Sequence, residues 1–393
     1  MINYENLLSN VIKEIPPSGI RRFFSIAAEM EDCISLGVGE PDFVTPWDIR
    51  QAGIHSLEKG STWYTSNSGL ADLRKEICNY LLRRFNVSYD SETETLVTVG
   101  GSEAIDLTFR AMLNPGDEVI IPQPCYVSYE PITRLCGGVP VIIKTKAENA
   151  FRLTAEELKN AISPRTKILV FPFPNNPTGA VMGKEHIEEI AEVLKGTNII
   201  ILSDEVYAEL TYGAQHVSPA SISDDMKART ILISGFSKAY AMTGWRLGYA
   251  CGPAPLLLQM TKVHQFAIMC APTTSQFAAI TAMRDGDESV KSMVTEYSMR
   301  RRLLVDELEK IGLPCFEPRG AFYVFPSIKS TGMKSLEFCE KLLHAERVAV
   351  VAGDSFGASG EGYVRISYSY SVAHLTEALK RMKRFMDNIE KYR

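Results

Sequence analysis

The chain has 393 residues, of which 45% are hydrophobic and 23% charged, and its formal net charge is −5. This composition is typical of a globular protein with room for two domains, and it excludes a disordered chain. A slightly acidic chain without a long basic run does not favour nucleic-acid binding, so we expect small-molecule partners. No stretch approaches the roughly 20 apolar residues of a membrane span or the apolar core of a signal peptide, which predicts a cytoplasmic protein.

Cysteine and histidine spacing gives no support for a metal site. The eight cysteines include no C-x-x-C pair, and the six histidines form no H-x-x-x-H pattern. Scattered cysteines without framework spacing are typical of reduced thiols in an intracellular enzyme. We therefore expect no bound metal.

Strand-like and helix-like segments alternate through the middle of the chain. In chain order they are "ETLVTVGG", "SEAIDLTFRAML", "NPGDEVIIP", "LTAEELKNAI", "TKILVFPF", "GKEHIEEIAEVLKG", "NIIILSDE" and "RTILISGF". Thr154, followed by Glu157 three residues later, is a capping signal for the second helix. The alternation predicts an α/β fold with a mostly parallel sheet covered by helices on both faces.

The pattern changes after about residue 285. A long charged helix, "ESVKSMVTEYSMRRRLLVDELEKIG", is followed by the strand-like "GAFYVFP" and "GYVRISYS" and by a final helix. This order predicts a smaller α+β domain that the N-terminal segment joins. The expected division is a large domain at 48–286 and a small domain built from 1–47 and 287–393.

The two common nucleotide-binding motifs of α/β proteins are absent from the sequence. "GVGEPD" supplies only two glycines of a G-x-G-x-x-G motif, and Gly183-Lys184 is followed by Glu185 instead of serine or threonine. The acidic pair Asp204 and Glu205 at the end of "NIIILSDE" therefore needs an explanation other than nucleotide-bound magnesium.

Polar residues at the ends of predicted strands supply that explanation. Gly101 and Ser102 stand between a strand and a helix, where backbone N–H groups and the helix dipole can bind phosphate. Lys238 follows an apolar strand in "ISGFSKAYAMTGWRLGYA", where partial burial lowers an amine pKa, and Arg246 comes eight residues later. A phosphate nest, a carboxylate, a phenol, an amide, a lysine and two arginines are what pyridoxal phosphate chemistry requires.

The chain resembles the class I/II aminotransferases of the aspartate aminotransferase superfamily, which are fold type I pyridoxal phosphate enzymes. The resemblance covers nearly the whole length and is carried, in the family's order, by "LGVGEPDFVTP", "YTSNSGLADLR", "GGSEAI", "PCYVSY", "PNNPTG", "LSDEVYAELTY", "SKAYAMTGWRLGY", "GAFYVFP" and "YVRISY". Within the superfamily, the chain is most similar to the bacterial branch that includes N-acetyl-LL-diaminopimelate, aspartate and aromatic aminotransferases. The family's large domain has a seven-stranded type of sheet.

The resemblance implies a role for each matching residue. Lys238 would hold the cofactor and move the proton, Asp204 would sit at the pyridine nitrogen, and Tyr207 would bond the ring O3′ oxygen. The residues that it assigns to the cofactor are Tyr64, Gly101, Ser102, Glu103, Tyr126, Asn176, Asp204, Tyr207, Ser237, Lys238 and Arg246. Those that it assigns to the substrate are Gly39, Asn176 and Arg365, and Arg365 would clamp the α-carboxylate.

The expected activity is ping-pong transfer of an amino group between an L-amino acid and a 2-oxo acid, with 2-oxoglutarate and glutamate as one pair. Tyr64 matches a tyrosine that reaches the neighbouring subunit's phosphate, which implies a homodimer with shared active sites. A C–S β-lyase is the alternative reaction, and a pyridoxal phosphate-binding regulator is a remote one. Arg21 and Arg22 are candidates for contact with a distal substrate carboxylate, and the preferred donor stays open.

Overall fold

The computed structural model describes residues 2–16 and 30–392, and the predicted α/β architecture is confirmed. The strands are β1 Ile34–Ser35, β2 Thr95–Thr98, β3 Glu118–Gln123, β4 Val139–Lys144, β5 Thr166–Phe171, β6 Ile200–Asp204, β7 Thr230–Gly235, β8 Gly248–Cys251, β9 Tyr323–Val324, β10 Val348–Ala349, β11 Val351–Ala352 and β12 Val364–Ser367. The α-helices are α1 Asn10–Glu14, α2 Trp47–Glu58, α3 Ala71–Phe85, α4 Gly101–Met112, α5 Tyr129–Leu135, α6 Ala155–Ala161, α7 Lys184–Leu194, α8 Asp224–Arg229, α9 Phe236–Ala239, α10 Ala254–Ala267, α11 Thr273–Asp285, α12 Asp287–Lys310, α13 Ser335–Glu346 and α14 Val372–Asp387.

The seven-stranded sheet has the order β2-β8-β7-β6-β5-β3-β4. Strand β8 runs antiparallel to its neighbours β2 and β7, and the other neighbouring strands are parallel. The strands β2, β3, β5, β6 and β7 therefore all end at the same edge of the sheet. Ligand crevices of open α/β sheets form at this edge, outside the carboxyl ends of the strands.

Both faces of this sheet are buried, as its apolar strands predict. On β5, Ile168 and Val170 pack into one hydrophobic cluster, while Leu169 and Phe171 pack into another. Successive side chains of a strand point to opposite faces, so the two clusters lie on the two sides of the sheet. The predicted capping box also forms at the start of α6, where Thr154 and Glu157 bond each other's backbone N–H groups.

The chain segments before the first long helix and after α12 are joined through short strands. Strand β1 pairs in parallel with β10, through Ile34 and Val348, while β11, β12 and β9 form an antiparallel sheet. One hydrophobic cluster contains residues of β1, α12, α13 and α14. The boundaries at residues 47 and 286 stay predictions. Within the described ranges, every helix is too short or too polar to cross a bilayer.

Candidate active site

Most of the residues predicted to carry function line one cavity at the carboxyl edge of the seven-stranded sheet. Its volume is about 490 Å³. Strand β6 ends in Asp204, α4 begins just after β2, and α9 begins just after β7, so backbone topology brings the polar residues together. The predicted residues that line the cavity are Gly39, Gly101, Ser102, Tyr126, Asn176, Asp204, Tyr207, Ser237, Lys238, Arg246 and Arg365.

Lys238 lies on the short helix α9, and its amine points into this cavity. Its Nζ donates a hydrogen bond to the carbonyl oxygen of Gly39 over 2.5 Å and lies 5.7 Å from the ring centre of Phe322. Burial lowers the pKa of Lys238 to about 8, and the charges of Arg365 and Arg246 act in the same direction. Near neutral pH, a larger fraction of this amine is therefore neutral, and nucleophilic, than of an ordinary lysine.

Asp204 is buried, and the sequence had not indicated its closest partner. The hydroxyl of Tyr129 donates to Asp204 Oδ2 over 2.6 Å, and the backbone N–H of Val206 donates to Oδ1 over 3.3 Å. Burial raises the pKa of Asp204, while the bond from Tyr129 opposes that rise. Tyr129 is the first residue of α5 and stands three residues after Tyr126, and its place in the motif "PCYVSY" was its only signal in the sequence.

The Tyr207 phenol is buried beside a second tyrosine. The hydroxyl groups of Tyr207 and Tyr323 lie 2.9 Å apart. Burial raises the pKa of Tyr207 well above its usual value, and Tyr323 adds to the shift, so the phenol keeps its proton. It can donate that proton in a hydrogen bond to a ligand oxygen.

One end of the cavity has the form of a phosphate cradle. Helix α4 begins at Gly101, and its first backbone N–H groups have no intrahelical acceptors. Gly100 has φ 81°, and a Cβ atom at this position would lie 2.8 Å from Nη2 of Arg246. Arg246 is held by a 3.1 Å hydrogen bond from Nη1 to the carbonyl of Thr243, and Ser237 also lines the cavity. Close approach of guanidinium and glycine backbone suits an oxyanion.

Arg365, on β12, is buried and also lines the cavity. Its Nη1 donates to Asn176 Oδ1 over 2.9 Å, and its Nη2 donates to the carbonyl oxygen of Gly37. Its Nε is buried without a hydrogen-bond partner among the described residues. A buried guanidinium with an unused donor suits an anionic ligand, because a buried polar group without a partner destabilises the fold.

Glu103 does not line the cavity, and its hydrogen bonds hold the turn that precedes α4. Its Oε2 accepts from the backbone N–H of Val99 over 2.5 Å, and its Oε1 lies 2.6 Å from Nδ1 of the buried His264. These bonds connect the turn before α4 to α10. Direct contact between Glu103 and the cofactor stays a prediction, and the hydrogen bonds assign it a supporting position.

Tyr64 lies apart from the cavity of its own chain. The side chain is 76% exposed and is absent from the cavity lining. This position is compatible with service to a neighbouring subunit, which stays a prediction. Arg21 and Arg22 lie outside the described residues.

The family model for class I and II aminotransferases matches residues 31–382. The chain belongs to the class I and II aminotransferase family. Two Bacillus subtilis relatives match it almost end to end. YugH is 54% identical over 96% of this chain and 98% of the relative, and a probable N-acetyl-LL-diaminopimelate aminotransferase is 44% identical over 97% and 96%.

Solved aminotransferase structures have the same fold. An aromatic aminotransferase from Pyrococcus horikoshii superposes with a TM-score of 0.89 at 41% identity, covering 95% of this chain and 100% of that one. An aspartate aminotransferase from Rhizobium meliloti gives 0.93 at 38% identity, covering 97% and 98%. This aminotransferase is therefore a fold type I enzyme, and its cofactor, as in the family, is pyridoxal 5′-phosphate.

Proposed function

We propose that this aminotransferase moves the amino group of an L-amino acid to a 2-oxo acid in two half-reactions of a ping-pong cycle, with 2-oxoglutarate and glutamate as one pair. The observation that carries the proposal is one cavity that holds the amine of Lys238, the carboxylate of Asp204 and the buried guanidinium of Arg365. These groups supply a nucleophile, a counter-charge and a carboxylate clamp.

The donor set of the cavity fits pyridoxal phosphate from end to end. The cradle of Gly101, Ser102, Ser237 and Arg246 suits its phosphate. When bound, the cofactor supplies an electron-accepting ring that is joined to the substrate nitrogen. Tyr126 lies in the cavity wall with an aromatic ring available for stacking on it, which is the role that we assign to this residue.

Lys238 has two tasks in the proposed mechanism. Its neutral amine would hold the cofactor covalently, and the lowered pKa makes that neutral form available. When its amine is free, Lys238 would be the base that takes the proton from the substrate α-carbon and the acid that returns it. The carbonyl of Gly39 accepts a hydrogen bond from the amine, which fixes its direction.

Asp204 and Tyr207 set the electronic state of the site. The Asp204 carboxylate would hold the pyridine nitrogen and favour a proton on it, because opposite charges attract strongly in a buried site. The hydrogen bond from Tyr129 orients this carboxylate and opposes the rise of its pKa on burial. Tyr207 would donate to the ring O3′ oxygen, and Asn176, which accepts a hydrogen bond from Arg365, would assist.

Arg365 clamps the α-carboxylate of the substrate, with Gly39 and Asn176 on either side. A guanidinium presents two parallel N–H groups that match a carboxylate, so the substrate cannot turn about its bond from α-carbon to nitrogen. The hydrogen on the α-carbon is thereby held toward Lys238. This orientation favours loss of that hydrogen over loss of the carboxylate.

We further propose that the enzyme is a homodimer in which Tyr64 completes the phosphate site of the neighbouring subunit. The side chain of Tyr64 is 76% exposed within its own chain, whereas the ring of a tyrosine is usually packed against other apolar groups. Trp63 beside it is also exposed, at 57%. Two adjacent exposed aromatic side chains are typical of a surface that a partner covers.

The charged residues of the cavity lining bear on whether the amino donor can be acidic. The described cations of the lining are Lys238, Arg246 and Arg365, all of which already have a task, while Glu40 adds a negative charge. An acidic donor therefore requires a further cation from outside this lining, and Arg21 and Arg22 are the candidates. Similar proteins are named for aspartate, aromatic amino acids and N-acetyl-LL-diaminopimelate.

A half-reaction screen tests the proposal. The cofactor-loaded enzyme is mixed with single amino acids, including aspartate, glutamate, tyrosine and acyl-diaminopimelate, and loss of its visible absorbance band is followed. A transaminase forms one equivalent of 2-oxo acid per site and recovers the band with 2-oxoglutarate, whereas a C–S β-lyase would release thiol and ammonia catalytically from cysteine conjugates. Replacing Arg21 or Arg22 with glutamine should impair acidic donors selectively if either meets a distal carboxylate.

Borohydride reduction and peptide mapping test the site assignment. The reduced pyridoxyl group should appear on Lys238, and its appearance on another lysine would overturn the assignment.

A further inference from the structure

Tyr323, on β9, lines the cavity but matches none of the residues that the sequence singled out. Its side chain is 1% exposed and touches three separate parts of the site. We infer that Tyr323 is a positioning residue for amino transfer, an inference that rests on the proposed function. Its hydroxyl holds the phenol of Tyr207, and its ring supports the guanidinium of Arg365.

The ring of Tyr323 lies against the carboxylate clamp. The guanidinium carbon of Arg365 is 4.5 Å from the centre of this ring and 4.8 Å from the centre of Phe356. Guanidinium groups are attracted to aromatic faces at these distances, more strongly where water is excluded. With Nη1 and Nη2 bonded to Asn176 and Gly37, the rings leave Arg365 little freedom to tilt.

The second contact of Tyr323 is between its hydroxyl and that of Tyr207. The two phenols share one hydrogen bond of 2.9 Å, and burial raises the pKa of both groups, so each keeps its proton. If Tyr323 donates this bond, the proton of Tyr207 is directed to another acceptor, the ring O3′ oxygen of the proposed function. A phenol that accepts a hydrogen bond is also a stronger donor.

The third contact is with the segment that holds Lys238. A Cβ atom at Gly39 would collide with the hydroxyl oxygen of Tyr323 and lie 3.3 Å from the adjoining ring carbon. The carbonyl of Gly39 accepts the hydrogen bond from Lys238. The closeness of the tyrosine hydroxyl therefore explains the glycine at position 39.

The first test removes only the hydroxyl, with Tyr323→Phe. Because Tyr207 then stabilises the O3′ oxygen less well as an anion, the visible band of the cofactor bound to Lys238 should titrate at higher pH. We expect a rise of about 0.5 to 1 pH unit, which corresponds to the net strength of one hydrogen bond. The titration is measured without substrate, so it is independent of turnover.

Tyr212→Phe is the matched control for this titration. The Tyr212 hydroxyl is also buried and donates to the carbonyl of Ala321 over 2.6 Å, but it does not line the cavity. A general loss of packing or stability would affect both variants. A Tyr323→Phe midpoint equal to the wild-type value would overturn the inferred link to Tyr207.

The second test removes the ring, with Tyr323→Leu, and uses glutarate, which has carboxylates but no amino group, as the probe. Its Kd is measured from the change in the visible band of the loaded enzyme. Loss of the ring beneath Arg365 should raise this Kd about tenfold, while Tyr323→Phe should stay within about twofold of wild type. Equal affinity in all three proteins would overturn the support of Arg365.

A double-mutant cycle with Gly39→Ala tests the contact without removing the ring. The methyl group should displace the Tyr323 hydroxyl and reduce kcat/KM about tenfold or more, whereas in the Tyr323→Phe background the further loss should be about threefold or less. The same loss in both backgrounds would show that the two positions act independently. Borohydride mapping of wild-type Lys238 separates failure of this inference from failure of the proposed function.

Discussion

The hydroxyl of Tyr129 donates a 2.6 Å hydrogen bond to Oδ2 of Asp204, and both side chains are buried. Burial raises the pKa of the carboxyl, because an anion loses its hydration there, while the bond from Tyr129 lowers it. The charge of the Asp204 carboxylate, at the end of β6, therefore depends on the hydrogen bond from Tyr129 and on positive charge in the cavity, such as that of Lys238.

Asp204→Asn should retain the cofactor and lose most of its turnover. The amide has nearly the same shape, but it carries no charge to hold a proton on the pyridine nitrogen. We expect kcat to fall at least about 10²-fold, as when a buried electrostatic group is removed from other active sites. Absorbance and kcat are measured together, and near-normal turnover in a fully loaded variant would remove this role from Asp204.

Tyr129→Phe should have a smaller effect in the same direction. The variant removes a donor to the charged form of Asp204, so the carboxyl pKa should rise further, at a cost of about 1 to 2 kcal/mol in transition-state stabilisation. The acid limb of the kcat profile should move to higher pH, because protonated Asp204 no longer supports the pyridine proton. An unchanged acid limb would assign Tyr129 to packing alone.

The sheet was predictable because its strands carry apolar residues on both faces and alternate with amphipathic helices. Ile168 and Leu169 illustrate the signal, since neighbouring residues of β5 enter different hydrophobic clusters. The strand order was not predictable by such means, because it depends on contacts between segments far apart in sequence. The antiparallel insertion of β8 between β2 and β7 is an example.

The candidate site was predictable where a residue follows a strand end and matches a family motif, as Asp204 and Lys238 do. Tyr129 and Tyr323 lie within the motifs "PCYVSY" and "GAFYVFP", but neither directly follows a strand end, and aromatic residues beside other aromatic residues also occur in ordinary cores. Glu103 shows that a motif match does not by itself predict where a side chain points. A motif places it beside the cradle, but the direction of its carboxylate depends on His264, which lies 161 residues away.

Capture of the cofactor by the apoenzyme should show the lowered pKa of Lys238. Only the neutral amine attacks the aldehyde, so the rate should rise with pH and level off above about pH 8. A solution lysine derivative should continue to gain rate up to about pH 10.4. Stopped-flow absorbance over pH 6 to 10 makes the comparison, and matching profiles would contradict the lowered pKa.

Arg365→Gln provides a second check on this profile. The positive charge of Arg365 helps to lower the pKa of Lys238, so removing it should move the midpoint to higher pH. The control is Arg302→Gln, on α12, whose side chain is exposed and bonds only the carbonyl of Ser298 in the described contacts. That variant should keep the wild-type midpoint.

Subunit mixing should reveal whether Tyr64 serves the neighbouring site. Lys238→Ala chains lack the catalytic amine, and Tyr64→Ala chains lack the phosphate contact. A hybrid dimer combines intact Lys238 on one chain with intact Tyr64 on the other, so one of its two sites is repaired. After dissociation and reassociation, activity should rise above that of either parent toward half of the wild-type value per dimer.

Verified subunit exchange is the necessary control for that experiment. Differently tagged chains allow the hybrid to be isolated, and its oligomeric state is measured by light scattering. A purified hybrid with no more activity than the mean of its parents would show that the tyrosine does not act across an interface. A monomeric wild-type enzyme would rule out a shared site directly.

Arg365→Lys should affect the class of reaction as well as affinity. Lysine keeps the positive charge but lacks the planar pair of donors, so a bound carboxylate can rotate and the bond that breaks is less well defined. The contact with Tyr323 and the hydrogen bond to Asn176 are lost or weakened in the same substitution. Slow decarboxylation should become detectable as carbon dioxide release, because the carboxylate can then reach the orientation that the hydrogen occupied.

The size of the Arg365→Lys effect should depend on whether the substrate has an α-carboxylate. For amino acids we expect a loss of about 2 to 4 kcal/mol in transition-state stabilisation, measured as kcat/KM, because a buried charge-assisted pair is disrupted. Amines of the same side chain but without the carboxylate should lose far less, since they never engaged the clamp. Matched pairs such as tyrosine and tyramine make the comparison. Equal losses for both members of a pair would mean that Arg365 acts through the fold or the cofactor, and its assignment as the carboxylate clamp would have to be withdrawn.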